Sequence, residues 1–240
     1  MNPDRLIIAL DVSDPGRAIE LVDLLKPYAG MFKVGMELFY SAGQRIINEI
    51  KKRDCRVFLD LKLHDIPNTV AGAAGALTRL GPDMFNVHAA GGPEMMRAAV
   101  AAAEGAARRE GKERPLIIAV TVLTSIDRGT FNNHIGIKGR IEDFVASWAK
   151  MAKNCGLDGV VSSPGEVSLI REACGPEFLI VTPGVRPAWS AAGDQKRVMT
   201  PAAAISAGAT YIVVGRPITA SPDPADAARK ILDEIKGCVV

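Results

Sequence analysis

Eight short apolar runs punctuate the chain: Leu6–Leu10, Met31–Gly35, Arg56–Leu61, Met84–His88, Leu116–Val122, Gly159–Ser162, Phe178–Val181 and Tyr211–Val214. They are rich in Val, Ile and Leu and apolar on both faces, as parallel strands covered from both sides should be. Between them lie amphipathic or Ala-rich stretches that predict helices. Arg17–Leu25 follows Ser13-Asp14-Pro15, a capping residue and an early proline. Gln44–Arg53 keeps Ile46, Ile47 and Ile50 at helical spacing, and Ala71–Leu80 stops at Gly81-Pro82. Arg97–Arg109, Ile141–Asn154, Val167–Ala173, Pro201–Ala207 and Asp226–Lys236 complete the set, with Gly156, Gly175 and Gly208 placed to end helices.

Eight strand–helix units without a break in composition predict an α/β single-domain (β/α)8 TIM barrel over residues 1–240. A doubly wound open sheet is the alternative. It usually has fewer strands and often a glycine fingerprint after the first, whereas the first run here continues Leu10-Asp11-Val12-Ser13-Asp14. Thr124–Lys138 and Pro183–Thr200 read as long loops, the kind that serve as lids or binding loops.

Composition narrows the picture. The chain has 240 residues, 29 basic and 27 acidic, for a net charge of +2. Charges are mixed, no basic block stands out, and aromatics are only 5%, so no nucleic-acid surface is expected. Cys55, Cys155, Cys174 and Cys238 form no CxxC pair and lack a histidine at zinc spacing, so reduced thiols are expected. No apolar stretch is long enough to span a membrane. Met1–Arg5 leads straight into the first strand, so we expect no signal peptide and a cytoplasmic location.

Chemistry in such a barrel gathers at the C-terminal ends of the strands. Those ends carry Asp11, Lys33, Asp60 with Lys62 and Asp65, His88, Thr124, Ser162-Ser163, Arg186 and Gly215-Arg216. Strand side chains alternate faces, so Asp60 and Lys62 point the same way, and if that way is inward, Leu61 and Leu63 face the helices. An inward ion pair is costly to desolvate. It is either a structural pair or a device. As a device, a lysine among carboxylates stays protonated, so it is a poor Schiff-base nucleophile and a good fixed proton donor. Its charge also stabilises a nearby carbanion. Gly215-Arg216-Pro217-Ile218, joined by Gly184-Val185-Arg186 and Gln195, suits a phosphate, and at the ends of strands seven and eight that reading outweighs the alternative of a surface arginine. Asp11 and Lys33 can pair with each other or bind a sugar hydroxyl. His64, His88 and His134 show no metal-ligand pattern, and His88 reads as a buried supporting residue.

From end to end the chain resembles the bacterial orotidine 5′-phosphate decarboxylases. The resemblance rests on Ile8–Val12, Phe32–Gly35, Phe58–Thr69 with its DxKxxDIPNT block, Val87–Ala89, Val122–Ser125, Thr182–Pro187 and Val214–Ile218. It implies a cofactor-free, metal-free enzyme that converts orotidine 5′-monophosphate to uridine 5′-monophosphate and CO2 in pyrimidine biosynthesis. Lys62 would protonate C6 of the pyrimidine, with Asp60 and Asp65 flanking it. Asp11, Lys33, Asn68 and Thr69 would serve the substrate around the ribose. Thr124 and a serine after the sixth strand, Ser163 before Ser162, would meet the pyrimidine. Arg186, Gln195, Gly215 and Arg216 would bind the phosphate under a closing 183–195 loop. The resemblance also implies a homodimer with shared active sites, Asp65 and Thr69 reaching into the partner's.

Two rivals are set beside it. A magnesium-dependent sugar-phosphate decarboxylase such as 3-keto-L-gulonate 6-phosphate decarboxylase shares the barrel and the DxKxxD signature. Those proteins resemble this chain less where a glutamate helps hold the metal, since Lys33 stands there and an ammonium is no ligand, and where Ile66-Pro67 replaces a small residue and glycine. A non-catalytic phosphosugar-binding barrel would need the phosphate site but not the Asp–Lys pair.

Overall fold

The computed structural model describes residues 3–190 and 199–238. Eight parallel strands close in sequence order, β1 Leu6–Ala9, β2 Met31–Gly35, β3 Val57–Leu63, β4 Met84–His88, β5 Leu116–Val120, β6 Gly159–Val161, β7 Leu179–Thr182 and β8 Tyr211–Val214, with β8 returning to β1. The fold is the expected (β/α)8 TIM barrel. Around it, among the described residues, run α1 Pro15–Leu25, α2 Met36–Ala42, α3 Arg45–Lys51, α4 Pro67–Leu80, α5 Gly92–Glu110, α6 Ile141–Asn154, α7 Val167–Cys174, α8 Pro201–Ser206, α9 Arg216–Thr219 and α10 Pro224–Lys236.

The helix starts follow local chemistry. Asp14 Oδ1 accepts the Gly16 N–H at 2.9 Å, capping α1 as its sequence predicts. Pro67 and the proline of Gly92-Pro93 sit in the first turns of α4 and α5. Their fixed φ suits those positions, so both helices begin earlier than periodicity alone suggests. The single helix expected over Gln44–Arg53 shortens to α3, and α2 is an addition. Only Leu38 of α2 is buried and Gly43, at φ 61°, ends it, so the segment is too short to show an apolar stripe.

The strands alternate between two cores. Ile7, Ala9, Met31, Phe58, Met84, Ile118, Val181 and Val213 form one buried cluster inside the barrel. Ile8, Phe32, Leu59, Phe85, Ile117, Val160, Ile180 and Ile212 join the larger core beneath the helices. Each such side chain contributes about 1.5–3 kcal/mol when fully buried.

The N-terminal rim is locked by polar clasps. Asp158, just before β6, donates its N–H to Ile117 O at 2.9 Å. Its carboxylate accepts the Ile117 N–H at 2.7 Å and a two-pronged bond from Arg114 at 2.6 and 2.9 Å. Asp83, before β4, treats Val57 the same way, with Lys51 as its cation. Thr210, before β8, does so for Ile180 with a hydroxyl. These bonds fix strand register at the end opposite the polar ring.

Gly159 lies opposite Leu179, and a Cβ there would come within 2.6 Å of Leu179 Cβ and closer still to its carbonyl oxygen. Gly159→Val should therefore lower stability by about 1–3 kcal/mol or more, read as a shift in the denaturant midpoint. An unchanged midpoint would mean that β6 and β7 can part without cost.

Candidate active site

The C-terminal ends of the strands surround a cavity of about 260 Å³. Its floor is the top of the inner core, including Ala9, Phe58, Val181 and Val213. On one side stand the charges of β1 to β3. Lys33 Nζ lies 2.9 Å from Asp11 Oδ1 and 3.3 Å from Asp60 Oδ2, and Lys62 Nζ lies 2.6 Å from Asp60 Oδ1. On the β7–β8 side stand Gly184, Arg186, Gly215 and Arg216. The cavity thus has an alternating row of charges facing a cationic, glycine-lined edge.

The row is possible because each inner charge has two opposite neighbours. Lys33 is only 9% exposed. Burial pulls its ammonium down, yet Asp60 and then Asp11 outweigh it and hold the pKa above the ordinary 10.5. Burial pushes the Asp60 carboxyl up, but Lys33 and Lys62 outweigh it and hold the pKa below the ordinary 3.8. An acid with a depressed pKa gives stability that is complete above its unfolded value and lost as pH falls through the folded one. Asp60 therefore supports the fold at neutral pH and ceases to in strong acid. Lys33, with a raised pKa, supports it until alkaline pH.

Lys62 reaches Asp60 by an irregular route. Leu59 pairs with Phe85 and Leu63 with Val87, so β3 runs four residues where β4 runs two. Within this bulge Lys62 has φ 53°, in the left-handed region. A non-glycine residue pays about 1–2 kcal/mol to be there. Its N–H bonds the Asn86 side-chain oxygen at 2.7 Å, and Asn86 Nδ2 donates to Asp60 Oδ1 at 2.7 Å. Leu61 and Leu63 pack against the outer core, as alternation predicts. The sequence reading did not single out Asn86. Its signal was available, since alternation places Met84, Asn86 and His88 on one face of β4.

The other predicted residues fall into groups. Thr124 lines the cavity. So does Ser162, whereas Ser163 does not; both serines are buried, and the Ser162 hydroxyl has no partner among the described residues. Gly215 sits close to its neighbours, since a Cβ there would lie 3.3 Å from Asp11 Oδ2 and 3.4 Å from Ala9 Cβ. Asp65, Asn68 and Thr69 are exposed at the start of α4, outside the cavity lining. Asp65 accepts its neighbour Ile66's N–H at 2.7 Å and does not pair with Lys62 within the chain. Gln195 lies outside the described residues. His88 stacks on His64 with ring centroids 5.1 Å apart, and its Nδ1 accepts the Ala90 N–H at 3.2 Å.

Residues 4–231 match the model of the orotidine 5′-phosphate decarboxylase / HUMPS family. The chain belongs to that family. A Moorella thermoacetica protein named orotidine 5′-phosphate decarboxylase is 60% identical over 97% of this chain and 92% of its own length. One of the same name from Syntrophomonas wolfei is 54% identical over 97% and 98%. The crystal structure of orotidine 5′-phosphate decarboxylase from Lactobacillus acidophilus superposes with a TM-score of 0.85 at 40% identity, covering 96% of this chain and 98% of that one.

Burial first, then His64 and Lys62, push the His88 imidazole down from 6.5 to about 4. A depressed base is neutral in the fold and protonated on unfolding, so stability falls as pH drops from 6.5 through about 4. In an NMR titration the His88 ring should change near pH 4, and a midpoint near 6.5 would contradict its burial.

Proposed function

We propose that this protein decarboxylates orotidine 5′-monophosphate to uridine 5′-monophosphate and CO2, without metal or organic cofactor, with Lys62 as the proton donor. The observation that carries the reading is the Lys62 ammonium, held 2.6 Å from Asp60 in a cavity whose far edge carries Arg186 and Arg216. The names of the relatives support the same substrate.

The chemistry follows from the charges. The bond from C6 to the carboxylate carbon breaks and its electron pair stays on C6. CO2 leaves, and an N–H bond of Lys62 gives its proton to C6. The neutral amine then regains a proton from water. The reaction as proposed draws on no electron sink, so the carbanion needs a cation already in place, and the row supplies one without reorganisation. Asp60 holds that cation and crowds the departing carboxylate. Asp11 and Lys33 meet the ribose, while Thr124 and the Ser162–Ser163 pair meet the polar edge of the pyrimidine. Arg186, Gly215, Arg216 and Gln195 take the phosphate, whose binding energy organises a reaction it does not enter.

A magnesium enzyme of the same superfamily fits less well. At the strand-two position, the Lys33 ammonium lies between Asp11 and Asp60, where a metal would need both carboxylates. A phosphosugar-binding barrel without catalysis leaves the cost of the charged row unexplained.

We further place the protein in the cytoplasm as a homodimer with shared sites, Asp65 and Thr69 entering the partner's cavity. Asp65, Asn68 and Thr69 stand exposed beside Ile66, an apolar side chain 66% exposed that a second copy would cover. Among the described residues no helix is long and apolar enough to cross a membrane.

Absorbance decay of orotidine 5′-monophosphate in excess EDTA tests the activity. Wild type should turn over, Lys62→Ala should lose at least about a thousandfold in kcat, and Arg216→Ala should lose about 3 kcal/mol in kcat/KM with its fold intact. Turnover of a sugar phosphate only after magnesium is restored would favour the rival. Mixing inactive Lys62→Ala and Asp65→Ala tests the sharing. A mixed dimer holds one cavity with both native residues, so activity should reappear. No recovery despite subunit exchange would make each site self-contained.

A further inference from the structure

Asn86 is fully buried on the inward face of β4, one step above Met84 of the inner core. Its carboxamide closes a ring: the oxygen takes the Lys62 backbone N–H, and the nitrogen donates to the Asp60 oxygen that also holds the Lys62 ammonium. Chemistry fixes its orientation, because the N–H can only donate and the ionised carboxylate can only accept. A flipped amide would set donor against donor and oxygen against oxygen. Leucine would fill the same space at less desolvation cost but would orphan a backbone N–H inside the bulge.

We propose that Asn86 is a positioning residue for the reaction, holding the Lys62 backbone in its left-handed turn and the Asp60 carboxylate in one orientation so that the ammonium stands at a fixed point over the cavity. The inference rests on Lys62 as the proton donor. The amide stands in for the main-chain partner that the bulge removes, and its second bond goes to the side-chain carboxylate that aims the lysine rather than to the main chain of β3. The oxygen it meets is the one that also holds the Lys62 ammonium, so the amide's donor is spent on the group that aims the lysine. Nothing in this arrangement touches the phosphate edge, so its loss should disturb the chemical step and spare ligand binding.

The amide's charged partners are Asp60 and, through it, Lys62, Lys33 and Asp11; His88, two residues on along β4, stacks on His64, and the inward residues of β5 are Ile118 and Val120. Asn86→Asp separates the two bonds. It keeps an acceptor for the Lys62 N–H but faces Asp60 with a second carboxylate. Two carboxylates in contact favour sharing one proton, which restores a donor as pH falls.

The test compares kcat, KM and the Kd of uridine 5′-monophosphate in wild type, Asn86→Ala, Asn86→Asp and Lys62→Ala across the acid-to-neutral range. Asn86→Ala should lose about a hundredfold in kcat while KM and product affinity hold. The activity of Asn86→Asp relative to wild type should rise as pH falls. Wild-type kcat in Asn86→Ala, or a loss shared equally with product binding, overturns the proposal. If Asn86→Ala does not fold, Asn86→Asp decides, and a pH-independent ratio to wild type overturns it. A wild type inert toward orotidine 5′-monophosphate, or an unimpaired Lys62→Ala, overturns the proposed function itself and takes this inference with it. Normal controls beside an unaffected Asn86 variant overturn the inference alone.

Discussion

Keeping the Lys33 ammonium inside the barrel is the constraint on which the rest of the mouth depends. At 9% exposure it needs carboxylates on both sides, and Asp11 and Asp60 provide them. Lys33 is shared between those two carboxylates, so Asp60 needs further partners, and Lys62 and Asn86 complete its shell. The row is neutral in sum but costly in parts. Removing one member leaves its neighbour buried and unmatched, which is worse than never having had the pair. Such a row is poorly suited to holding strands together and well suited to keeping charge in place before a reaction begins.

Much of this was legible in the sequence, for physical reasons. Parallel strands covered on both faces must be apolar throughout, so all eight showed as plain runs. The period of two brought Asp60 and Lys62 together on paper, and they do meet. The route differs, because a bulge is a main-chain event that Leu61 and Leu63 do not announce. Asn86 escaped notice because a single buried amide reads like any polar interruption until its partners in β3 are known. α2 escaped because seven residues with one buried side chain carry no periodicity. Of the serines after β6, Ser162 lines the cavity wall, a local outcome at a strand end where alternation no longer holds. Asp65 lies apart from the Lys62 of its own chain, since the chain has left the strand before it is reached, and its place beside a partner's lysine belongs to the proposed dimer.

The two rims of the barrel are built on different principles. The cavity rim carries a bulge, a left-handed lysine and a dense set of charges, all of which loosen regular pairing. The opposite rim carries bonds that do nothing but set register, at Asp83, Asp158 and Thr210. Tolerance of irregularity at one end is matched by over-determination at the other.

Those three clasps sit before β4, β6 and β8, each tied back to the strand that precedes it. Three of the four sequential strand pairs, β3–β4, β5–β6 and β7–β8, thus carry their own alignment key. A change of length in the cavity-side loop after β3, β5 or β7 falls between two strands whose far ends are already pinned to each other. In those three pairs the register of the chassis is set at the end away from the rim where a ligand would sit.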